Sequence, residues 1–128
     1  MHDQPTAAEL IAAVRAFLAD HARPALTGRT AFHARVAENA LAIVERELTL
    51  GTDADAREKA RLVKLLDAPD NTPLSGLNLQ LSEAIRAGTL DERTPGLLAH
   101  LKQTTIDQVR VDQPAYSGLT AAFKSDQA

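Results

Sequence analysis

Apolar residues along the chain recur at helical rather than strand spacing. Ala and Leu dominate and β-branched residues are thinly spread, so each periodic segment reads as helix. The first predicted helix runs from about Thr6 to Asp20. Its Thr6-Ala7-Ala8-Glu9 start has the form of a capping box, and Leu10, Ile11, Val14, Phe17 and Leu18 form its apolar face. Pro24 bars continuation, leaving His21 to Gly28 as a connector. The second and longest helix spans about Thr30 to Leu50, with Gly51 expected to close it. A third, from Thr52 or Asp53 to Leu66, has a narrow apolar face (Ala56, Val63, Leu66). Its Arg57, Glu58, Lys59, Arg61 and Lys64 are expected to be solvated. Thr72-Pro73 and Thr94-Pro95 open a fourth and a fifth helix, with Gly88 ending the fourth. After Pro114 little is left to bury, so a frayed tail is expected. The prediction is an all-α, single-domain bundle of about five helices around a long central second helix, with residues 1–116 as the domain and 117–128 as a flexible tail.

At about 100° per residue, Phe32, Val36, Ala37, Ala40, Leu41, Ile43, Val44 and Leu48 cover roughly half of the second helix. So broad an arc predicts a helix buried among several neighbours. The expected core therefore takes Leu10, Val14, Phe17, Phe32, Val36, Ala40, Ile43 and Val44, together with Val63, Leu66, Leu77, Leu81, Ile85, Leu98 and Leu101. His33 and Glu47 fall inside the arc and, if buried, need partners. Arg35, Asn39 and Arg46 lie along one border, within roughly 40° of one another. Glu38 and Glu45 are expected on the opposite side, facing water.

With 128 residues the chain can hold one ordinary core. The absence of cysteine excludes disulfides, thiol catalysis and cysteine-based zinc sites. A balance of 14 basic against 17 acidic residues argues against general nucleic-acid binding, and four aromatics (Phe17, Phe32, Tyr116 and Phe123) are too few for base stacking. No secretory leader is visible in Met1 to Pro5, and no apolar run approaches the roughly 18 residues of a membrane span. A cytoplasmic protein is expected. His2, His21, His33 and His100 are scattered, so no metal site is predicted, and neither a phosphate-binding loop nor a nucleophile elbow is present. The pattern carries no catalytic and no cofactor-binding residue.

The stretch Gly28-Arg29-Thr30-Ala31-Phe32-His33-Ala34-Arg35-Val36-Ala37-Glu38-Asn39-Ala40-Leu41-Ala42-Ile43-Val44-Glu45-Arg46-Glu47-Leu48 resembles the central signature of a small bacterial domain family of unknown function. Pro5 to Leu10, Leu77-Asn78, Ile85-Arg86-Ala87-Gly88 and Val111 to Tyr116 resemble it too, so the likeness covers about Asp3 to Tyr116. Members of that family are encoded beside, or fused to, aminoglycoside-phosphotransferase-like kinases, in clusters that also hold acyl-CoA dehydrogenases. In levulinate-type catabolism the small protein is an accessory subunit of a kinase that phosphorylates 4-hydroxyacyl-CoA. The resemblance thus implies a non-catalytic subunit, separate from its kinase. Phe32, His33, Arg35, Asn39, Arg46 and Glu47 match the signature, and the last five are the candidate partner interface.

Two alternatives stay open. One is a homo-oligomeric helical scaffold, which predicts a self-complementary apolar patch. The other is a small enzyme or ligand-binding bundle using His33 and Glu47 in a pocket between helices.

Overall fold

The computed structural model describes residues 4–125, which are helical without any strand. His2, the start of the family likeness at Asp3 and the last three residues of the expected tail lie outside them. Contacts divide the chain into two compact units, Met1–Thr52 and Asp53–Ala128.

In the first unit, α1 (Ala7–Phe17) opens with the capping box expected of it. The Glu9 amide donates to Thr6 Oγ1 at 3.2 Å, and the Thr6 amide donates to Glu9 Oε2 at 2.7 Å. The backbone then winds through a π turn, Leu18–Ala22, and a 3-10 turn, Arg23–Ala25, in which Pro24 ends the run. α2 (Gly28–Arg46) follows and packs against α1.

The face on which α2 meets α1 corrects the sequence reading. Ala31, Ala34, Glu38, Leu41 and Glu45 are half-buried and Ala42 is buried. Small side chains let the helix axes approach, and two ion pairs tie the seam. Arg15 pairs with Glu45, and Arg23 Nε lies 2.6 Å from Glu38 Oε2. Glu38 and Glu45 therefore do not face water: the Arg15 and Arg23 guanidiniums hold them against α1 and its following turns. Apart from Leu41, the broad apolar arc is the exposed one. Phe32 is 63% exposed, and Val36, Ala40, Ile43 and Val44 are exposed with it. On α1, Leu10, Val14 and Phe17 are exposed as well. The helical wheel identifies which residues share a face; an alanine face with paired charges proved the better seam.

Gly51 does not end a helix. It lies in a π turn, Glu47–Gly51, which passes directly into α3 (Thr52–Leu66) and makes the second helix 39 residues long. Thr49 Oγ1 donates to the carbonyls of Glu45 and Arg46 at 3.0 and 3.2 Å, a side-chain competitor that accompanies the widened turn. Gly51 allows close approach: a Cβ there would sit 2.8 Å from Glu47 Oε1.

In the second unit, α3 ends with Asp67 at φ 49° and the Ala68 amide on the Val63 carbonyl. α4 (Leu74–Arg86) has Pro73, not Thr72, at its N-cap. It ends at Gly88, φ 75°, where the Thr89 amide donates to Ala84 and the Gly88 amide to Ile85, the paired bonds of a Schellman motif. α5 (Leu97–Asp112) starts two residues after Pro95, because Thr94 instead closes a turn by accepting from the Asp91 amide. Leu62, Leu77, Leu81 and Leu97 form the buried core, with Val63 and Leu66 packed on it. Ile85, Leu98 and Leu101 are exposed, contrary to expectation. The expected frayed tail contains a helix, α6 (Ser117–Ser125), which packs on α5, its Leu119 and Ala122 half-buried beside Ile106 and Val109.

Candidate functional site

The signature stretch folds as one helix because its Ala, Leu, Arg and Glu content favours that state. One side of α2 is spent on α1, which leaves its apolar arc outward. Phe32, Val36, Ile43, Val44 and Leu48 are between 37% and 63% exposed. Single exposed apolar residues are ordinary on a monomer, whereas large ones gathered on one face single that face out as a candidate site.

The five polar residues singled out from sequence surround or punctuate this arc. His33 is exposed; its Nε2 accepts from Arg29 Nε at 3.3 Å, and the Phe32 ring stands edge-on to it at 5.6 Å. Because the arc is open, His33 and Glu47 need no buried partners. Glu47 is exposed, its carboxylate folded over Gly51. Arg35 and Asn39 are exposed on the border, one turn apart, while Arg46 is half-buried at the helix end. Arg35 and Asn39 thus have guanidinium and amide groups in water beside an apolar strip. In interfaces generally, a polar rim gives direction and the apolar centre gives affinity. His33 and Glu47 sit on the open arc rather than in a pocket between helices.

A second group of polar residues lies between α3 and α5, and the sequence reading missed it by treating the α3 charges as solvated. Arg57 Nη2 lies 3.4 Å from Asp107 Oδ1, which also accepts from Gln103 Nε2 at 3.2 Å. Arg61 Nε donates to His100 Nδ1 at 3.3 Å, and its Nη2 to Thr104 Oγ1 at 3.2 Å. His100 is only 3% exposed. Burial, reinforced by the Arg61 charge and opposed by Glu58, holds its imidazole below the usual histidine pKa. Spacing carries the missed signal: Arg57, Arg61 and Lys64 recur at i, i+4, i+7 on α3, and His100, Gln103 and Asp107 at i, i+3, i+7 on α5. Among the described residues no group of three or more His, Asp or Glu side chains is placed to hold a metal ion, and no helix is long and apolar enough to cross a membrane.

The sequence profile of a family described as "Domain of unknown function (DUF6285)" matches residues 24–116. The chain belongs to this family. The match spans most of the chain and takes in both the α2 face and the α3–α5 polar layer. What precedes Pro24, including the capping box and α1, lies before it. No curated protein and no solved structure matches the chain.

Proposed function

We propose that this DUF6285 chain is a non-catalytic accessory subunit of an aminoglycoside-phosphotransferase-like kinase acting on hydroxyacyl-CoA. The kinase docks on the outward face of α2. The observation that carries this reading is the exposure of the signature's own apolar residues, Phe32, Val36, Ile43, Val44 and Leu48, with Arg35 and Asn39 at their border. A helix that needed these residues only for its own fold would turn them inward. Docking would take their surface out of water at about 25 cal/mol per Å2. The border Arg would supply bidentate bonds to a carboxylate and the Asn a donor and an acceptor. On this reading the chain transfers no phosphoryl group. It supports the kinase, in the cytoplasm, where ATP and acyl-CoA substrates meet.

The same exposed arc favours a second reading, self-association of the chain as a scaffold, because a large apolar face can be covered by its own copy. One experiment separates them. The kinase encoded beside the chain is captured with and without it, and ATP-dependent phosphorylation of 4-hydroxyacyl-CoA is measured in each case. Co-capture with increased turnover supports the subunit. A stable oligomer of the lone chain that leaves kinase turnover unchanged supports the scaffold.

A further inference from the structure

The α3–α5 polar layer divides into a closed half and an open half. In the closed half Arg57 and Gln103 both meet the Asp107 carboxylate. In the open half Arg61 meets only neutral acceptors, His100 Nδ1 and Thr104 Oγ1. Among the described residues no carboxylate lies within ion-pair distance of it. Glu58, the nearby acid on α3, has its Oε1 engaged by Asn78 Nδ2 at 2.9 Å. Arg61 and the exposed Lys64 both line a cleft of about 480 Å3 that has no acid in its wall. That volume suits a small organic ligand.

Two further donors, on His100 and Ala99, line this cleft, and the Leu98 amide adjoins them at the start of α5. His100, almost fully buried, is in its wall. Its Nδ1 accepts from Arg61, so Nε2 carries the proton, and among the described residues that N–H meets no acceptor. α5 opens against the cleft at Gly96, which is left-handed (φ 86°) and gives no side-chain cap. The amides of Leu98 and Ala99 in its first turn likewise meet no acceptor among the described residues. Free amides at a helix start attract negative charge. Leu65, Pro95 and Ala99 make up the apolar part of the wall.

We propose that this cleft is an oxyanion site that takes the carboxylate or phosphate head of a small organic anion. Arg61 and Lys64 supply the charge, His100 Nε2–H and the first turn of α5 supply neutral donors, and Leu65, Pro95 and Ala99 hold the ligand's apolar part. The inference stands apart from the partner reading, since it uses α3 and α5 residues and needs no second protein. A cationic ligand does not fit, because two positive side chains and a helix N-terminus face it with no carboxylate to answer.

The test uses the whole chain and amide NMR spectra. Hexanoate and hexyl phosphate are titrated in turn, with inorganic phosphate, hexanol and hexylammonium as comparisons. Saturable shifts of the Leu98 and Ala99 amides are expected with hexanoate or hexyl phosphate. The tighter of the two identifies the head group, and inorganic phosphate binds more weakly for want of the apolar contact. Arg61→Gln should weaken binding about tenfold or more, and Lys64→Gln, at an exposed position whose loss leaves the fold intact, about threefold. Should Arg61→Gln fail to fold, Lys64→Gln decides alone. The proposal is overturned if neither oxyanion gives a saturable shift below about 20 mM, a bound weaker than any useful site. It is also overturned if hexylammonium or hexanol reproduces the shifts, or if Lys64→Gln binds as the parent does.

Discussion

Truncating Leu77 and truncating Phe32 should have very different costs. Leu77 is fully buried, in contact with Leu62, Leu81 and Leu97. Leu77→Ala removes buried methyl groups and leaves a cavity that α3, α4 and α5 cannot fully close. The expected loss is about 3–5 kcal/mol. Phe32 keeps 63% of its surface in water. Of the roughly 200 Å2 an aromatic side chain offers, only about 70 Å2 is covered, worth ~1.7 kcal/mol at ~25 cal/mol per Å2. Alanine at a helical position returns about 0.5 kcal/mol in intrinsic propensity, so Phe32→Ala should cost about 1 kcal/mol. Guanidinium unfolding of the full chain, followed by circular dichroism at 222 nm, measures both. A loss of 3 kcal/mol or more from Phe32→Ala, with less than 1 kcal/mol from Leu77→Ala, would put the core on the α2 arc and refute the assignment of faces.

Gly51→Ala should leave stability unchanged or raise it by up to about 1 kcal/mol, because the position is helical and the exposed Glu47 side chain can swing away from the new methyl. Thermal melts showing a loss above about 1 kcal/mol would restore Gly51 as a left-handed terminus. Stability should also fall as pH drops below about 6.5, the unfolded histidine value. His100 has a lowered pKa in the fold, so the unfolded chain binds its proton first; the stabilisation is whole above that pH and is lost on descending through the folded value. His100→Gln should flatten this part of the pH–stability curve, and an unchanged slope would show that another group controls it.

The fold was legible where local chemistry dictates it. Thr6 and Glu9 specify the start of α1, Gly88 the end of α4, and the Ala and Leu content the all-helical class. Gly51 misled because the same residue serves left-handed caps and close approach alike, and sequence does not separate the two. The orientation of α2 was hidden for a related reason. Hydrophobicity ranks the Phe32–Val44 arc as the face to bury, but the contact with α1 is decided by geometry: Ala31, Ala34 and Ala42 allow approach, and Arg15 and Arg23 are placed to neutralise Glu45 and Glu38. The candidate border residues Arg35 and Asn39 were legible as an edge, since angular position survives whichever face is buried. The Arg61–His100 contact was not. It joins positions 39 residues apart, and only the packing of α5 on α3 makes a polar layer from two separate stripes.

If, as proposed, the outward face of α2 receives the kinase, one binding titration against that kinase should separate the parent chain from Val36→Asp/Val44→Asp. Both positions are more than 40% exposed, so the free double variant should retain its helical signal and nearly its melting temperature. The parent should bind and raise ATP-dependent turnover of 4-hydroxyacyl-CoA. The double variant should lose at least about 3 kcal/mol of affinity, and Arg35→Ala about 1–3 kcal/mol. Equal binding by parent and double variant, or a kinase that neither binds the parent nor gains turnover from it, would contradict the account.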